Sequence, residues 1–357
     1  MGAPGPSSQA RSDPSATAPV AAPASRSRSA RAVQRYPELD VMKAVAIVGV
    51  IGIHSLHDFW VPGLSSAEQF SERALRFAVP TFLAVSGFLY YRSTPIDLST
   101  IFRRLRRILP PYLCVSVVAY VYSLWHPGHS SRDSLLAGLL LGGAFGPYYY
   151  VFLLVEFVVA TWVLSRLPRR AVSVVFLLAV GTMALAEFYW WPPLGMFWSM
   201  RSPTLWGAWF LLGWVAAMHH DAVLAFTNRY RTRILMVWLL LVAGWSALFW
   251  GGALSDTTDR AATVVITAAT VIGLFVSRRG AERLPEPITI LSNWTYSLYL
   301  LHPFFVYVIG DIVQPVFGLR PLVWVLLGWV SGLTGALATT ALVRAVVGER
   351  SRDIIGA

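Results

Sequence analysis

One short stretch places ionisable side chains in an apolar, helix-forming sequence. Lys43 is the only lysine of the chain, and His54 follows eleven residues later. Eleven residues are about three turns of an α-helix, so the two side chains point to nearly the same side, about 16 Å apart along the axis. A neutral imidazole can take a proton from an attacking hydroxyl near neutral pH. The spacing therefore predicts a general base, His54, on the same side of the helix as the cationic Lys43 and about three turns further along the chain.

Two carboxylates extend the same helical stripe. Asp40 precedes Lys43 by three residues, and Asp58 follows His54 by four, where it could orient the imidazole. Lys43 has an alternative role as a charge that reaches the membrane surface and sets topology. For His54 the alternative is a hydrogen-bonded histidine between helices. An ionisable group this deep in an apolar segment is costly, which favours a function for His54.

The composition is that of a membrane protein. Of the 357 residues, 56% are hydrophobic and 13% are charged, and the mean hydropathy is +0.58. The net charge of +11 comes from arginines between apolar segments, so we do not expect nucleic-acid binding. The single cysteine, Cys114, excludes an intramolecular disulfide and a cysteine-cluster metal site, and we interpret it as a packing residue. No other metal-binding motif is present, so we predict no metal.

Ten apolar segments are long enough to cross a bilayer as helices. A shorter run at 135–145 is interpreted as a re-entrant or interfacial piece. Residues 1–34 have almost no large apolar side chains and are predicted to be a disordered tail. A membrane domain at 35–349 and a short tail at 350–357 follow. The ten segments are 40–58, 74–92, 108–126, 147–165, 171–190, 204–219, 232–250, 261–277, 288–312 and 321–346.

Arginine-rich connections fall after every second segment. If they face the cytoplasm, the positive-inside rule is met throughout, and both termini are cytoplasmic. The fold class is therefore predicted to be an all-α, polytopic transmembrane helix bundle with about ten spans. These connections are RRLRR (103–107), RLPRR (166–170), NRYRTR (228–233) and RRGAER (278–283).

The first segment resembles that of the integral-membrane acyltransferase 3 family, O-acyltransferases that modify cell-surface polysaccharides and some secreted natural products. That family carries Leu-Asp and then an arginine that is separated from a histidine by ten intervening residues. Leu39, Asp40, Lys43 and His54 follow this spacing, with lysine in place of arginine. Four further stretches match family motifs in the same order: VPTFLAVSGFLYY (79–91), RRLRRILPPYL (103–113), YYYVFLLVEF (148–157) and YSLYLLHP (296–303).

The resemblance implies transfer of an acyl group, expected to be acetyl, from acyl-CoA to a hydroxyl, with no permanently bound cofactor. The donor phosphates would bind cytoplasmic arginines, because a guanidinium offers paired donors in one plane. The pantetheine arm would pass Lys43 toward His54, and Ser86 or a backbone amide near Gly87 would face the developing oxyanion. The four arginines are Arg103, Arg104, Arg106 and Arg107, which give two possible registers for the family's Arg-x-x-Arg.

Further residues are candidates for substrate binding or for structure. His302 could meet His54 across the bundle, and Glu156, Tyr296 and Ser297 lie in matched motifs. The acceptor is expected to be a sugar hydroxyl of an envelope polysaccharide or a hydroxyl of a secreted metabolite, at the plasma membrane of a bacterium. Membrane lipid is the expected surrounding. One alternative function is a transporter of a small anion or acylated product, because buried charges in a membrane bundle would also suit a transporter. Another is a non-catalytic sensor.

Overall fold

The structure is a computed structural model that describes residues 1–2, 5, 35–56, 65–125, 134–189, 195–277, 283–313 and 321–357. In this part of the chain every regular element is a helix. Short 3₁₀ or π segments occur at Gly146–Tyr148, Ile309–Val313 and Gly348–Arg350. The α-helices are α1 Pro37–Ser55, α2 Ser66–Leu75, α3 Ala78–Tyr90, α4 Leu98–Trp125, α5 Leu135–Leu140, α6 Tyr149–Leu164, α7 Arg169–Tyr189, α8 Gly195–Ser199, α9 Pro203–Met218, α10 His220–Trp250, α11 Asp256–Ser277, α12 Glu286–Val308, α13 Pro321–Val347 and α14 Ser351–Ile354.

Helices occupy all ten of the predicted apolar segments. Six helical stretches among the described residues are long and apolar enough to cross a membrane. They lie in α4, α6, α7, α10 and α11 and in the stretch Val323–Ile354. α3 and α9 have 13 and 16 residues and are shorter than the roughly 20 residues that a straight span needs. The all-helical membrane bundle is confirmed, whereas the ten spans and the cytoplasmic termini stay predictions.

Local sequence explains where the first helices begin. Pro37 opens α1, and the carboxylates of Glu38 and Asp40 lie in its first turn, where the helix dipole favours negative charge. α2 begins with a capping box, because the Ser65 side chain accepts from the Glu68 N–H and the Glu68 carboxylate accepts from the Ser65 N–H. The sequence analysis missed α2, since it began the second apolar segment only at residue 74.

α1 lies inside the bundle, where it packs against α3, α12 and α13. Ala46, Ile47 and Ile51 on this helix have no exposed surface. α3 and α9 approach each other through two glycines. A Cβ on Gly87 would lie 1.9 Å from the Phe210 carbonyl oxygen, and one on Gly213 would lie equally badly against α3. Glycine at such contacts lets helix backbones pack closely.

The run at 135–145 forms the six-residue helix α5 and a following turn, which is too short to span. Several of its backbone carbonyls accept hydrogen bonds from side chains elsewhere in the chain. Arg201, 5% exposed, donates to the carbonyls of Leu141 and Gly142, and the Tyr112 hydroxyl donates to the carbonyl of Leu139 at 2.7 Å. Non-helical backbone inside a membrane protein requires such partners.

Cys114 on α4 and the C-terminal segment differ from what the sequence predicts. The Cys114 side chain is exposed on α4, so its interpretation as a packing residue is wrong. It lies one turn beyond Pro110 and Pro111, which interrupt the hydrogen-bond ladder of the same helix. The predicted short tail at 350–357 is folded, since Ser351 is fully buried and its hydroxyl donates to the carbonyl of Ala357. The predicted disorder of residues 1–34 lies almost entirely outside the described residues.

Candidate active site

Two histidines from distant parts of the sequence meet inside the bundle. The rings of His54 on α1 and His302 on α12 stack with centroids 5.4 Å apart and planes inclined by 30°. His302 has no exposed surface, whereas His54 is partly exposed. The predicted meeting of the two side chains is confirmed. Of the pair, His54 is the one with exposed surface in the free protein.

A row of aromatic rings continues from this pair toward α3. The ring of Tyr299 lies 5.9 Å from that of His302, and the ring of Tyr150 lies 5.4 Å from that of Tyr299. The Tyr150 hydroxyl is 3.4 Å from the Ser86 hydroxyl on α3. The row thus connects the predicted base with the predicted oxyanion donor Ser86. Tyr150 and Tyr299 were not singled out from the sequence, although both lie in motifs that carried the resemblance.

The start of α6 is fastened to α12 by tyrosine hydroxyls. Tyr299 donates to the carbonyl of Pro147, and Tyr148 donates to the carbonyl of Leu300 at 2.7 Å. Hydroxyl groups that are fixed in this way hold the rings around His302 in one arrangement. Preorganised side chains of this kind are what a catalytic site requires.

Lys43 has a partner on its own helix. Its ammonium lies 2.9 Å from a carboxylate oxygen of Asp40, and the same oxygen accepts from the Ser292 hydroxyl on α12. The Asp40 side chain is buried, and the Lys43 side chain is 23% exposed. The Asp40 carboxylate therefore holds Lys43 on α1 and, through the Ser292 hydrogen bond, joins α1 to α12 on the N-terminal side of His54. The predicted contact of Lys43 with the acyl donor stays a prediction.

A cleft of about 280 Å³ lies at the start of α4 and collects positive charge. Three of the predicted arginines line it, namely Arg103, Arg104 and Arg107, whereas Arg106 does not. Arg92 from the connection between α3 and α4 adds a fourth guanidinium. Sequence reasoning missed Arg92, because only the fold of that connection brings it beside α4. Such a cluster suits a phosphate-bearing ligand.

The arginines of this cleft differ in how far they are already engaged. Arg104 donates to the carbonyl of Tyr90 at 2.9 Å and to the hydroxyl of Thr161 at 3.1 Å, so it ties α4 to α3 and α6. Arg103 donates to the Thr100 hydroxyl at 2.8 Å and remains exposed. Arg107 is exposed and makes no hydrogen bond or ion pair within the described chain. Arg107 is thus the most available guanidinium.

One carboxylate, Asp97, also lines the cleft. Hydrogen bonds from the side chains of Thr100 and Ser99 lower the pKa of Asp97 to about 2. Its two oxygens accept from the Ser99 hydroxyl at 2.8 Å and from the Thr100 backbone N–H at 3.0 Å. This carboxylate caps the first turn of α4 and thereby fixes the start of the helix that carries the arginines.

Residues 36–341 match the profile of the acyltransferase 3 family, whose description is "Acyltransferase domain". The chain is a member of this family. Comparison with curated proteins and with solved structures gave no match. Together with the apolar helices, the match identifies a membrane acyltransferase.

Several other predicted residues of this acyltransferase have contacts of their own. Tyr296 donates to the carbonyl of Ile108 on α4 at 2.7 Å, and the fully buried Ser297 shares a hydrogen bond with Thr340 on α13. Both contacts join α12 to neighbouring helices. Asp58 lies outside the described residues.

Gly87 and Glu156 remain open candidates in the acyltransferase. Gly87 is in close contact with α9, and its predicted backbone amide role stays a prediction. Glu156 on α6 has one buried carboxylate oxygen that finds no hydrogen-bond partner in the described chain. Across the described ranges, no three histidine, cysteine or acidic side chains are grouped as a metal site would need.

Proposed function

We propose that this membrane acyltransferase transfers an acetyl group from acetyl-CoA to a hydroxyl of an envelope sugar or a secreted metabolite, in the plasma membrane of a bacterium. His54 acts as the general base. The observation that carries the proposal is the partly exposed His54 ring, stacked 5.4 Å from a fully buried second imidazole. A base must reach its substrate and be held in one orientation, and this pair meets both conditions.

The reaction needs no permanently bound cofactor. His54 takes the proton of the acceptor hydroxyl while the oxygen forms a bond to the thioester carbonyl carbon. The carbon–sulfur bond then breaks, and the leaving CoA thiolate takes up the proton that His54 received from the hydroxyl. The products are an ester and free CoA. The Ser86 hydroxyl, oriented by Tyr150 at 3.4 Å, is the proposed donor to the carbonyl oxygen as negative charge develops there.

The arginine cleft supports CoA as the donor. CoA carries phosphates that cannot enter hydrocarbon, so they must bind at the membrane surface, and four guanidiniums line the cleft. The connection between α3 and α4 lies on the predicted cytoplasmic side of the membrane. The acyl arm then extends along the bundle past Lys43 toward His54, about 16 Å away along α1 by the rise per residue.

The first experiment compares wild type with His54→Ala. Purified, detergent-solubilised protein is incubated with acetyl-CoA and a crude extract of its own cell envelope, and free CoA is followed by chromatography. His219→Ala is the matched control, because His219 is an exposed histidine at the turn between α9 and α10. We expect CoA release by wild type and His219→Ala only. Equal turnover by folded His54→Ala would remove His54 from the chemistry. If wild type neither released CoA nor bound acetyl-CoA, a transporter would be favoured.

A second pair of variants tests the donor site. Arg107→Glu places a negative charge in the cleft, whereas Arg106→Glu changes an equally exposed neighbour outside it. A hydrogen bond to a charged group contributes about 1.5–3 kcal/mol, so we expect Arg107→Glu to raise the KM for acetyl-CoA by at least tenfold. The KM of Arg106→Glu should stay near that of wild type. Equal effects of the two variants would contradict this assignment.

A further inference from the structure

The backbone of α12 fixes which ring nitrogen of His302 carries hydrogen. Nδ1 lies 3.2 Å from the carbonyl oxygen of Leu298. Because a carbonyl oxygen only accepts, Nδ1 must donate, and in the neutral ring Nε2 is then an acceptor without hydrogen. Pro303 follows within the same helix and has no N–H to donate to the carbonyl of Tyr299 one turn earlier.

The acceptor at Nε2 is left without a donor. This atom is buried and has no hydrogen-bond partner among the residues that the structure describes. Neighbouring hydroxyls are engaged elsewhere: Tyr299 donates to Pro147 and Tyr148 to Leu300. Ser297 is paired with Thr340. Buried acceptors are nearly always paired in proteins, so an unpaired one beside a reactive site calls for a partner beyond the described residues.

The position of His54 shows where that partner comes from. The two rings are stacked, and His54 is the partly exposed member of the pair, so an acceptor molecule bound at His54 lies one ring away from His302. Nε2 of His302 is covered in the free protein and must be uncovered as the acceptor enters. A hydroxyl has a single hydrogen to donate. If the reacting hydroxyl gives its hydrogen to His54, a different group must satisfy Nε2 of His302.

We propose that Nε2 of His302 accepts a hydrogen bond from a second donor group of the acyl acceptor, an O–H or N–H close to the hydroxyl that is acylated. This inference rests on the proposed function. It makes His302 a residue that determines acceptor specificity, because an acceptor with an isolated hydroxyl would leave the buried nitrogen unpaired. Sites built around such a polar atom discriminate strongly against analogues that lack the matching group.

Two variants of similar size separate this role from packing. In His302→Gln the amide can place an acceptor oxygen near the position of Nε2. In His302→Asn the shorter amide reaches the position of Nδ1 and leaves the position of Nε2 empty. Both variants are assayed for free CoA with saturating acetyl-CoA and increasing amounts of the envelope extract. The dependence on acetyl-CoA is then measured at a fixed, high amount of extract.

We expect His302→Asn to lower kcat/KM for the extract about tenfold relative to His302→Gln, the loss of one neutral hydrogen bond. The KM for acetyl-CoA should be the same in both. Equal kcat/KM values for the two variants, in a preparation whose wild type is active, would overturn the role of His302 and leave the proposed function intact. A wild type that neither binds acetyl-CoA nor releases CoA with any extract would overturn both.

A measurement on wild type covers the case in which neither variant folds. Full-length protein labelled with ¹⁵N-histidine is observed by NMR in detergent. The resonance of Nε2 in His302 should be that of an unprotonated nitrogen, and it should shift when the active fraction of the extract is added. Acetyl-CoA alone should leave it in place. A protonated Nε2, or a resonance that the active fraction does not move, would refute the inference.

Discussion

The contact between α3 and α9 allows a stringent test of the packing. In Gly87→Ala the new Cβ would lie 1.9 Å from the Phe210 carbonyl oxygen, and in Gly213→Ala it would lie 1.7 Å from the Ala84 carbonyl oxygen. Cβ atoms essentially never approach other heavy atoms closer than 3.0 Å. The two helices must therefore separate by about 1 Å, which forfeits a large part of the dispersion attraction along their contact.

The expected magnitude follows from two opposing effects. Overpacking typically costs about 1–3 kcal/mol and here meets rigid backbone rather than a mobile side chain, so we expect the upper end of that range. Alanine is better than glycine within a helix by about 1 kcal/mol, which offsets part of the loss. Each single variant should therefore lower the free energy of unfolding by about 2 kcal/mol. The double variant should lose less than the sum, because one separation relieves both clashes.

The assay is unfolding of the purified protein in detergent by increasing SDS, followed by tryptophan fluorescence. Gly181→Ala in α7 and Gly244→Ala in α10 are matched controls, because a Cβ at either position meets nothing within 4 Å. These controls should equal or exceed wild type. If Gly87→Ala and Gly213→Ala were as stable as the controls, the close approach of α3 and α9 would be refuted. Strict additivity in the double variant would refute the shared contact.

Three further predictions concern polar groups. Lys43→Met should lower the free energy of unfolding in SDS by about 1–3 kcal/mol, because the buried Asp40 carboxylate loses its ammonium partner. Adding Asp40→Asn to this variant should restore part of the lost stability. No recovery in the double variant would show that the ion pair is unimportant. Carboxyl ¹³C NMR should give Asp97 a pKa near 2, below its usual 3.8, so its stabilising contribution is present above pH 3.8 and is lost as the pH falls through 2. A midpoint near 3.8 would contradict the capping role. Arg201→Lys should destabilise by about 2 kcal/mol, since one ammonium cannot satisfy all the carbonyls that the guanidinium holds, and an unchanged SDS midpoint would count against this.

Sequence reasoning predicted the features that depend on composition and on local spacing. The apolar segments gave the helical membrane bundle, and the Arg-rich run at the start of α4 gave most of the cleft. The three-residue spacing of Asp40 and Lys43 put both on one stripe, where the structure pairs them. The meeting of His54 with His302 came from the family resemblance, because nothing in the local sequence relates residues so far apart.

The features that sequence reasoning missed depend on which helices are neighbours. Apolar segments resemble one another, so their sequences do not state that α3 packs on α9 through paired glycines. The same limitation explains the wrong interpretation of Cys114, whose burial depends on the face that α4 turns to its neighbours. α2 had a local signal, the serine and glutamate of its capping box, but the longer apolar run that follows obscured it.

The exposed Cys114 makes this protein a ready subject for site-directed labelling. As the only cysteine of the chain, it offers one attachment point on the outside of the bundle without any background thiol to remove. It lies just beyond the proline pair of α4, and the cleft arginines lie before that pair on the same helix. A spin label or fluorophore at this position would therefore report directly whether α4 bends at its prolines when acetyl-CoA is added.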